Sequence, residues 1–384
     1  MVNHTADAVV VGAGIAGAAT FFQLASLGAG RVLLLERADL RSSATSGTGG
    51  FIQFHFCRDA AETRLTQASL PYFERWDELV GAGNSGFVRS GYFRLEPERR
   101  ADGLRERVAM LQSLGVETSV VGADDVARLA PEIRTDDVVV AAWEPDSGYA
   151  DADTMVAGFI AAGQRLGGEI LTGTPVTNVR SAGGRVTGVV TRDGAIDAPL
   201  VVLTAGAWSS GLLAPLGVAL PVEVWMTQWL GVDVEPALPA TLPTIGDGIS
   251  GSYFRAMRPG SAELLVGLGG VGRRETTDLD ALEESIPEHL GATARDRVAA
   301  RLATPRTVRP TVWRSGPVAQ TPDALPIIDR HPTLEGLYFT AGDCGTSFKT
   351  GPAIGRALAE WALSGRPEVA DITPFSLARF ASGV

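Results

Sequence analysis

Two kinds of apolar pattern alternate along the chain. The run Ala8-Val9-Val10-Val11 is unbroken and mostly β-branched, which predicts a strand buried on both faces. It passes directly into Gly12-Ala13-Gly14-Ile15-Ala16-Gly17, and Gly14 to Leu27 then carries a helical pattern. A second apolar run, Arg31 to Leu35, ends on Glu36. Glu62 to Leu79 predicts a helix from apolar positions at Leu65, Leu70, Phe73, Trp76 and Leu79. Gly91 to Leu95 reads as a short strand and Ala101 to Leu114 as another helix, while Ala123-Asp124-Asp125 caps a short helix before Pro131.

From Gly168 the pattern shifts to strands. Val176 to Arg180 and Val186 to Thr191 flank Gly183-Gly184, and Asp193-Gly194 makes the next tight turn. Val201 to Thr204 follows, leading into Ala205-Gly206-Ala207-Trp208. Val218 to Val266 is strand-rich, with a hairpin from Ser252 to Gly267 turning at Pro259-Gly260, and Asp278 to Leu302 is mostly helical. The last motif, Leu337 to Pro352, is a strand, a small-residue turn and a helix start. Pro352 is expected in the first helical turn, Ile354, Leu358 and Trp361 line one face, and Gly365 with Pro367 ends the helix.

This order predicts an α/β protein in two discontinuous domains. Residues 1–80, 151–215 and 316–384 form a Rossmann-like nucleotide domain, and 81–150 with 216–315 form an inserted antiparallel β-sheet domain.

The Gly-rich turn has a specific chemistry. Gly12 permits the tight turn, Gly14 lets backbone N–H groups approach a pyrophosphate, and Gly17 lets helix and strand pack closely. The helix N-terminus adds partial positive charge there. Glu36 is placed to hydrogen-bond a ribose diol, which favours FAD or NAD over NADP.

Composition narrows the partners. With 45% hydrophobic and 20% charged residues in 384, the chain is an ordinary globular protein with room for two domains. No apolar run approaches the roughly 20 residues of a membrane span. The N-terminus lacks a basic segment ahead of its first strand, so a cytoplasmic protein without a signal peptide is expected. Two cysteines (Cys57 and Cys344) and four scattered histidines supply neither a disulfide framework nor a metal-ligand spacing. A net charge of −11 without a basic patch argues against nucleic acid or anionic membrane as partner. Nearly all basic residues are arginine; Lys349 is the only lysine in the chain.

Together these motifs resemble the D-amino-acid-oxidase-like flavoprotein family, which includes sarcosine, glycine and related secondary-amine oxidases. The resemblance runs through Arg41 to Gln53, Gly148-Tyr149-Ala150-Asp151, Thr204 to Trp208, Thr321 to Ile328 and the C-terminal Gly345-Thr346-Ser347-Phe348-Lys349. It implies FAD, contacted in the N-terminal part by Gly12, Gly14, Ile15, Ala16, Gly17, Glu36 and Arg37. Ser43, Ser46, Gly50 and Ile52 follow in the next loop, and Val176, Ala205, Gly206 and Trp208 at mid-chain. Gly342, Gly345, Thr346, Ser347, Phe348 and Lys349 complete the set near the C-terminus. In the sarcosine-oxidase branch a lysine at the Lys349 position binds the substrate carboxylate.

Three departures from that branch shape the expectations. Gly316 stands where those enzymes carry the flavin-linking cysteine, so FAD is expected to be noncovalent. Gly50 and Gln53 replace arginines, removing a second carboxylate clamp. The lysine that speeds reaction with oxygen has no counterpart; Arg255 supplies charge near that place, and the acceptor is O2 or another molecule. Lys349, Gln53, Tyr253, Arg255 and His55 are the candidate catalytic residues. Tyr253 and Arg255 alternate on one strand and so share a side. The implied reaction oxidises a C–N bond of an amino acid or secondary amine by hydride transfer to flavin, giving an imine that hydrolyses. The alternatives are a flavin monooxygenase and a flavin-bearing subunit of a multi-subunit amine dehydrogenase; oligomeric state is left open.

Overall fold

The computed structural model describes residues 4–40, 45–239, 241–258, 261–272, 274–279 and 285–381. A six-stranded sheet runs in the order Ile327–Arg330, Leu337–Ala341, Val201–Leu203, Ala8–Val11, Val32–Leu35, Glu169–Leu171. Five of these strands are parallel, and Ile327–Arg330 is antiparallel to its neighbour. Their apolar runs are continuous because both faces are covered. Ala8, Val10, Val32, Leu34 and Val202 pack against the helices Ile15–Ser26, Ala152–Arg165 and Ser347–Ser364. Val9, Val11, Leu33, Leu35, Val201 and Leu203 alternate onto the other face, against Val179, Val186, Val189 and Ile196. Those four belong to the meander Val176–Ala182, Arg185–Thr191 and Gly194–Asp197, which turns at Gly183-Gly184 as the pattern predicts and at Arg192-Asp193, one residue ahead of the expected Asp193-Gly194.

The second sheet has nine strands. Its central order is Glu223–Glu235, Glu263–Leu268, Ser252–Ala256, Thr244–Asp247, Tyr92–Glu96, Val140–Glu144, and Thr307–Gln320 pairs along the full length of Glu223–Glu235. The helix Glu288–Arg301 covers one face with Leu290, Ala294 and Val298. Phe51–Ile52 pairs with Gly148–Tyr149, beside the opening between the two sheets.

Four local expectations are corrected. The helix expected over 62–79 is two, Ala60–Glu74 and Trp76–Leu79, because Arg75 leaves helical geometry at φ −123°, ψ 40°. Gly122 is the cap of the Ala123–Leu129 helix, with Asp124 and Asp125 inside its first turn. Among the described residues of the 278–302 region, helix covers Glu288–Arg301, since Pro287 has no N–H to donate and disfavours helix in the residue before it; residues 280–284 lie outside the described residues, as does the Pro259-Gly260 turn. Pro352 is the sixth residue of its helix rather than a first-turn residue. The next amide, of Ala353, donates to Ser69 Oγ at 3.0 Å, so the neighbouring helix takes up part of the backbone hydrogen bonding at the proline.

Candidate active site

One continuous cavity of about 1120 Å³ runs from Glu36 and Val176, past the Gly-rich turn, to Lys349 and Tyr253 between the sheets. Two helices point their N-termini at it, Ile15–Ser26 and Ser347–Ser364. Both ends favour negative charge on a bound group.

At the nucleotide end the turn is built from backbone. Gly12 sits at φ +100°, and a Cβ there would lie 2.7 Å from the Thr204 carbonyl oxygen. Thr204 Oγ1 donates to the carbonyls of Val11 and Gly12, closing the turn against the neighbouring strand. The Glu36 carboxylate accepts from Ala13 N at 2.8 Å and from Ala38 N at 3.1 Å. A carboxylate has about four acceptor sites, so it holds the loop and keeps capacity for a ribose diol. The Arg37 guanidinium stacks over the Trp208 ring at 4.6 Å, and both residues line the cavity.

At the other end Lys349 is 2% exposed. Its ammonium donates to the Gln53 carbonyl at 3.1 Å and contacts Cys57 Sγ at 3.5 Å. Among the described residues it has no carboxylate within ion-pair distance. Cys57 stays a thiol, since burial raises its pKa. Phe51 and Tyr253 meet edge to face at 5.1 Å and line the same wall as Phe56 and Trp229. The buried Trp229 indole N–H has no hydrogen-bond partner among the described residues.

The cavity gathers most of the expected residues. Gly12, Gly14, Ile15, Ala16, Glu36, Arg37, Gly50, Val176, Ala205, Gly206, Trp208 and the stretch Gly345 to Lys349 line it, as do Gln53 and Tyr253. Six do not line it. Gly17 is at the helix–strand contact, where a Cβ would meet Thr204 Oγ1 at 2.5 Å. Ser46 Oγ donates to the Leu40 carbonyl, and Ile52 is buried in its strand pair. A Cβ on Gly342 would lie 2.5 Å from Thr321 Cγ2. Arg255 is buried and spent on backbone: Nε donates to Gly49 at 2.6 Å, and Nη1 donates to Ala256 and Met257. Burial lowers its pKa to about 10, and its guanidinium lies over the Tyr149 ring. Arg255 therefore braces the 49–50 loop from behind, while Tyr253, on the same side of the strand, reaches the cavity. The sixth, His55, has an enclosed Nδ1 without a partner among the described residues; desolvation, reinforced by Arg94, Arg107 and Lys349, lowers its pKa to about 3. Ser43 lies outside the described residues.

Three further residues belong to the site by position, and two of them, Glu144 and Arg58, lie outside any sequence motif. Glu144 is fully buried, accepts from Phe54 N at 2.9 Å and Ser147 Oγ at 2.6 Å, and leaves Oε1 unpartnered among the described residues. It holds the 53–57 turn whose Gln53 carbonyl receives Lys349. Arg58 lines the cavity one residue beyond Cys57. Asp343, also on the lining, accepts from Gly345 N at 2.9 Å, and burial raises its pKa to about 6. Asp343 stands inside the C-terminal motif, so the motif itself was the available signal.

The geometry is that of a dinucleotide-binding oxidoreductase, and comparison with known proteins agrees. The family described as FAD dependent oxidoreductase matches residues 7–361. The chain belongs to this family. It is 26% identical over 98% of its length to Homo sapiens mitochondrial sarcosine dehydrogenase, of which it spans 41%. It is 27% identical over 98% of its length to human peroxisomal sarcosine oxidase, of which it spans 96%. The solved structure of L-proline dehydrogenase from P. horikoshii superposes with a TM-score of 0.88, at 23% identity, covering 100% of this chain and 99% of that one. The backbone cradle at Gly12, the Glu36 carboxylate and the two helix N-termini fit FAD.

Proposed function

We propose that this chain oxidises the C–N bond of a secondary amine or N-substituted amino acid, with noncovalent FAD as cofactor. One observation carries the reading. The chain's sole lysine is buried on the cavity wall, donates to a carbonyl and a thiol, and has no carboxylate within ion-pair distance among the described residues. Such an ammonium is an anchor for a substrate carboxylate. The similarity to sarcosine-oxidising enzymes points the same way.

In this reading Gly12 to Ala16 and the first helix N-terminus hold the pyrophosphate, Glu36 the ribose, and Arg37 with Trp208 the adenosine end. Gly345 to Phe348 flank the ring. When bound, FAD supplies the hydride acceptor that converts the amine to an imine and passes the electrons to O2 or another acceptor. Lys349 fixes the carboxylate and thereby the position of the Cα–H. Phe51, Phe56, Tyr253 and Trp229 exclude water and favour the uncharged amine, so no side-chain base is needed. Gly316, on the cavity lining, has no side chain to form a flavin bond. Residues 1–80, 151–215 and 316–384 serve as the FAD-binding domain and 81–150 with 216–315 as the substrate domain.

The test is anaerobic absorbance titration of the purified flavin-loaded protein with N-methyl, cyclic and N-carboxymethyl amino acids. Bleaching of the flavin band by one of them, lost in Lys349→Ala, is expected. Bleaching by NADPH and by no amine would replace this reading with a monooxygenase. One observation favours a second reading, a flavin-bearing part of a larger assembly: the chain spans only 41% of the dehydrogenase it resembles. An isolated chain that binds FAD but stays inert toward every amine and NADPH would favour that.

A further inference from the structure

We infer that Arg58 is a second anion subsite, and that the substrate is an N-substituted amino acid bearing a second carboxylate. The inference rests on the amine-oxidising reading above. Lys349 and Arg58 both line the substrate end of the cavity but reach it from different elements. Lys349 rises from the Ser347–Ser364 helix, and Arg58 precedes the Ala60–Glu74 helix. The turn through Gln53 and Cys57 joins them, since Lys349 bonds both of those residues and Arg58 follows directly.

The contacts of Arg58 leave it available. Nη2 donates to the Cys344 carbonyl at 3.2 Å and Nη1 to the Phe56 carbonyl at 3.3 Å. Among the described residues, the carboxylate within ion-pair distance is Glu62, which meets Nη1 through a single oxygen at 3.4 Å. The shorter bond to Glu62, 2.6 Å, comes instead from the Arg58 backbone N–H. A guanidinium has five donors in a fork suited to bidentate carboxylate recognition, and among the described residues no side chain occupies that fork bidentately. The side chain is 30% exposed, against 2% for the whole of Lys349, so Arg58 is the more accessible of the two cations. Phe51, Phe56 and Tyr253 line the same cavity. A molecule with two carboxylates separated by an amine matches this arrangement: one acid on Lys349, the other on Arg58, and the neutral amine between them.

The experiment uses two ethers that cannot be oxidised at nitrogen, oxydiacetate with two carboxylates and methoxyacetate with one. Binding to the flavin-loaded protein is followed by tryptophan fluorescence, which Trp229 on the cavity wall makes sensitive. Wild type is expected to bind oxydiacetate at least tenfold more tightly than methoxyacetate. Arg58→Gln should bring that ratio close to one, and Arg58→Lys should keep part of it. Because Arg58→Gln leaves the buried Glu62 uncompensated, the double variant Arg58→Gln/Glu62→Gln is measured beside it and should show the same loss. A wild-type ratio near one, or a ratio unchanged in these variants, overturns the proposal. A diacid preference that depends on Arg58, in a protein whose flavin no amine reduces, supports the subsite while ending the amine-oxidising reading.

Discussion

The Lys349 ammonium donates to the main-chain carbonyl of Gln53 across 3.1 Å, joining residues 296 positions apart. That bond ties the C-terminal helix to the turn after Phe51–Ile52, and Glu144 holds the same turn from the second sheet through Phe54 N. The Lys349 end of the cavity is thus a junction of both sheets, and its geometry depends on this contact.

Replacing Lys349 by methionine removes the charge but keeps most of the side-chain volume. A hydrogen bond made by a charged group contributes about 1.5–3 kcal/mol, so a modest loss of stability is expected. The larger effect is on substrate. The kcat/KM for amino-acid amines should fall at least 100-fold, with flavin content retained. Stopped-flow flavin reduction with a flavin-to-protein absorbance ratio checks both; unchanged reduction kinetics would remove Lys349 from the site.

Gly12→Ala is expected to cost flavin before it costs fold. At φ +100°, with the Thr204 oxygen 2.7 Å from a built Cβ, the turn has to open. Residues forced into such backbone regions cost about 1–3 kcal/mol. Purified protein should carry less than half the wild-type FAD and melt earlier by thermal denaturation. Full flavin occupancy with an unaltered melt would show that the turn tolerates the methyl.

His55 supplies a pH signature. Its folded pKa is lowered from 6.5 to about 3, so below pH 6.5 the unfolded chain binds the extra proton first. Relative to His55→Gln, wild type should lose stability progressively as pH falls from 6.5 toward 3, and the difference should be flat above 6.5. Urea unfolding of both proteins across that range measures it. Because His55 stays neutral, the pH profile of flavin reduction above pH 5 should be the same in the variant.

Asp343 gives the opposite slope. Its pKa is raised from 3.8 to about 6, so the folded state holds the proton that the unfolded state releases. Relative to Asp343→Asn, wild type should lose stability as pH rises from 3.8 to about 6 and remain constant above that. If the proposed flavin position is correct, the bound-flavin absorbance should shift with the same midpoint, and the shift should vanish in Asp343→Asn.

The elements that build the nucleotide end are legible in the chain because their causes are local. Continuous apolar runs at Ala8–Val11 and Val32–Leu35 require burial on both faces, and the parallel sheet provides it. Gly12 stands where φ is positive, and Gly17 where helix and strand meet. The single lysine stands out by composition alone and proves to line the cavity. Local pattern also has limits within single elements: nothing in periodicity places Pro352 in mid-helix, since Ser69, on another helix, accepts the following amide.

What the sequence by itself determined is the family, the two kinds of sheet, the Gly-rich turn and the residue that marks the far end of the cavity. Only the tertiary structure decided which side chains share that end. Arg255 and Tyr253 have the same strand parity, yet Arg255 is spent on the carbonyls of Gly49, Ala256 and Met257 and only Tyr253 reaches the cavity. Arg58 and Glu144, in no motif, arrive there because helix and sheet dock around the 53–57 turn. The reason is physical. Periodicity records which face of an element is buried, whereas a site is set by long-range hydrogen bonds and desolvation between elements that no sequence spacing encodes.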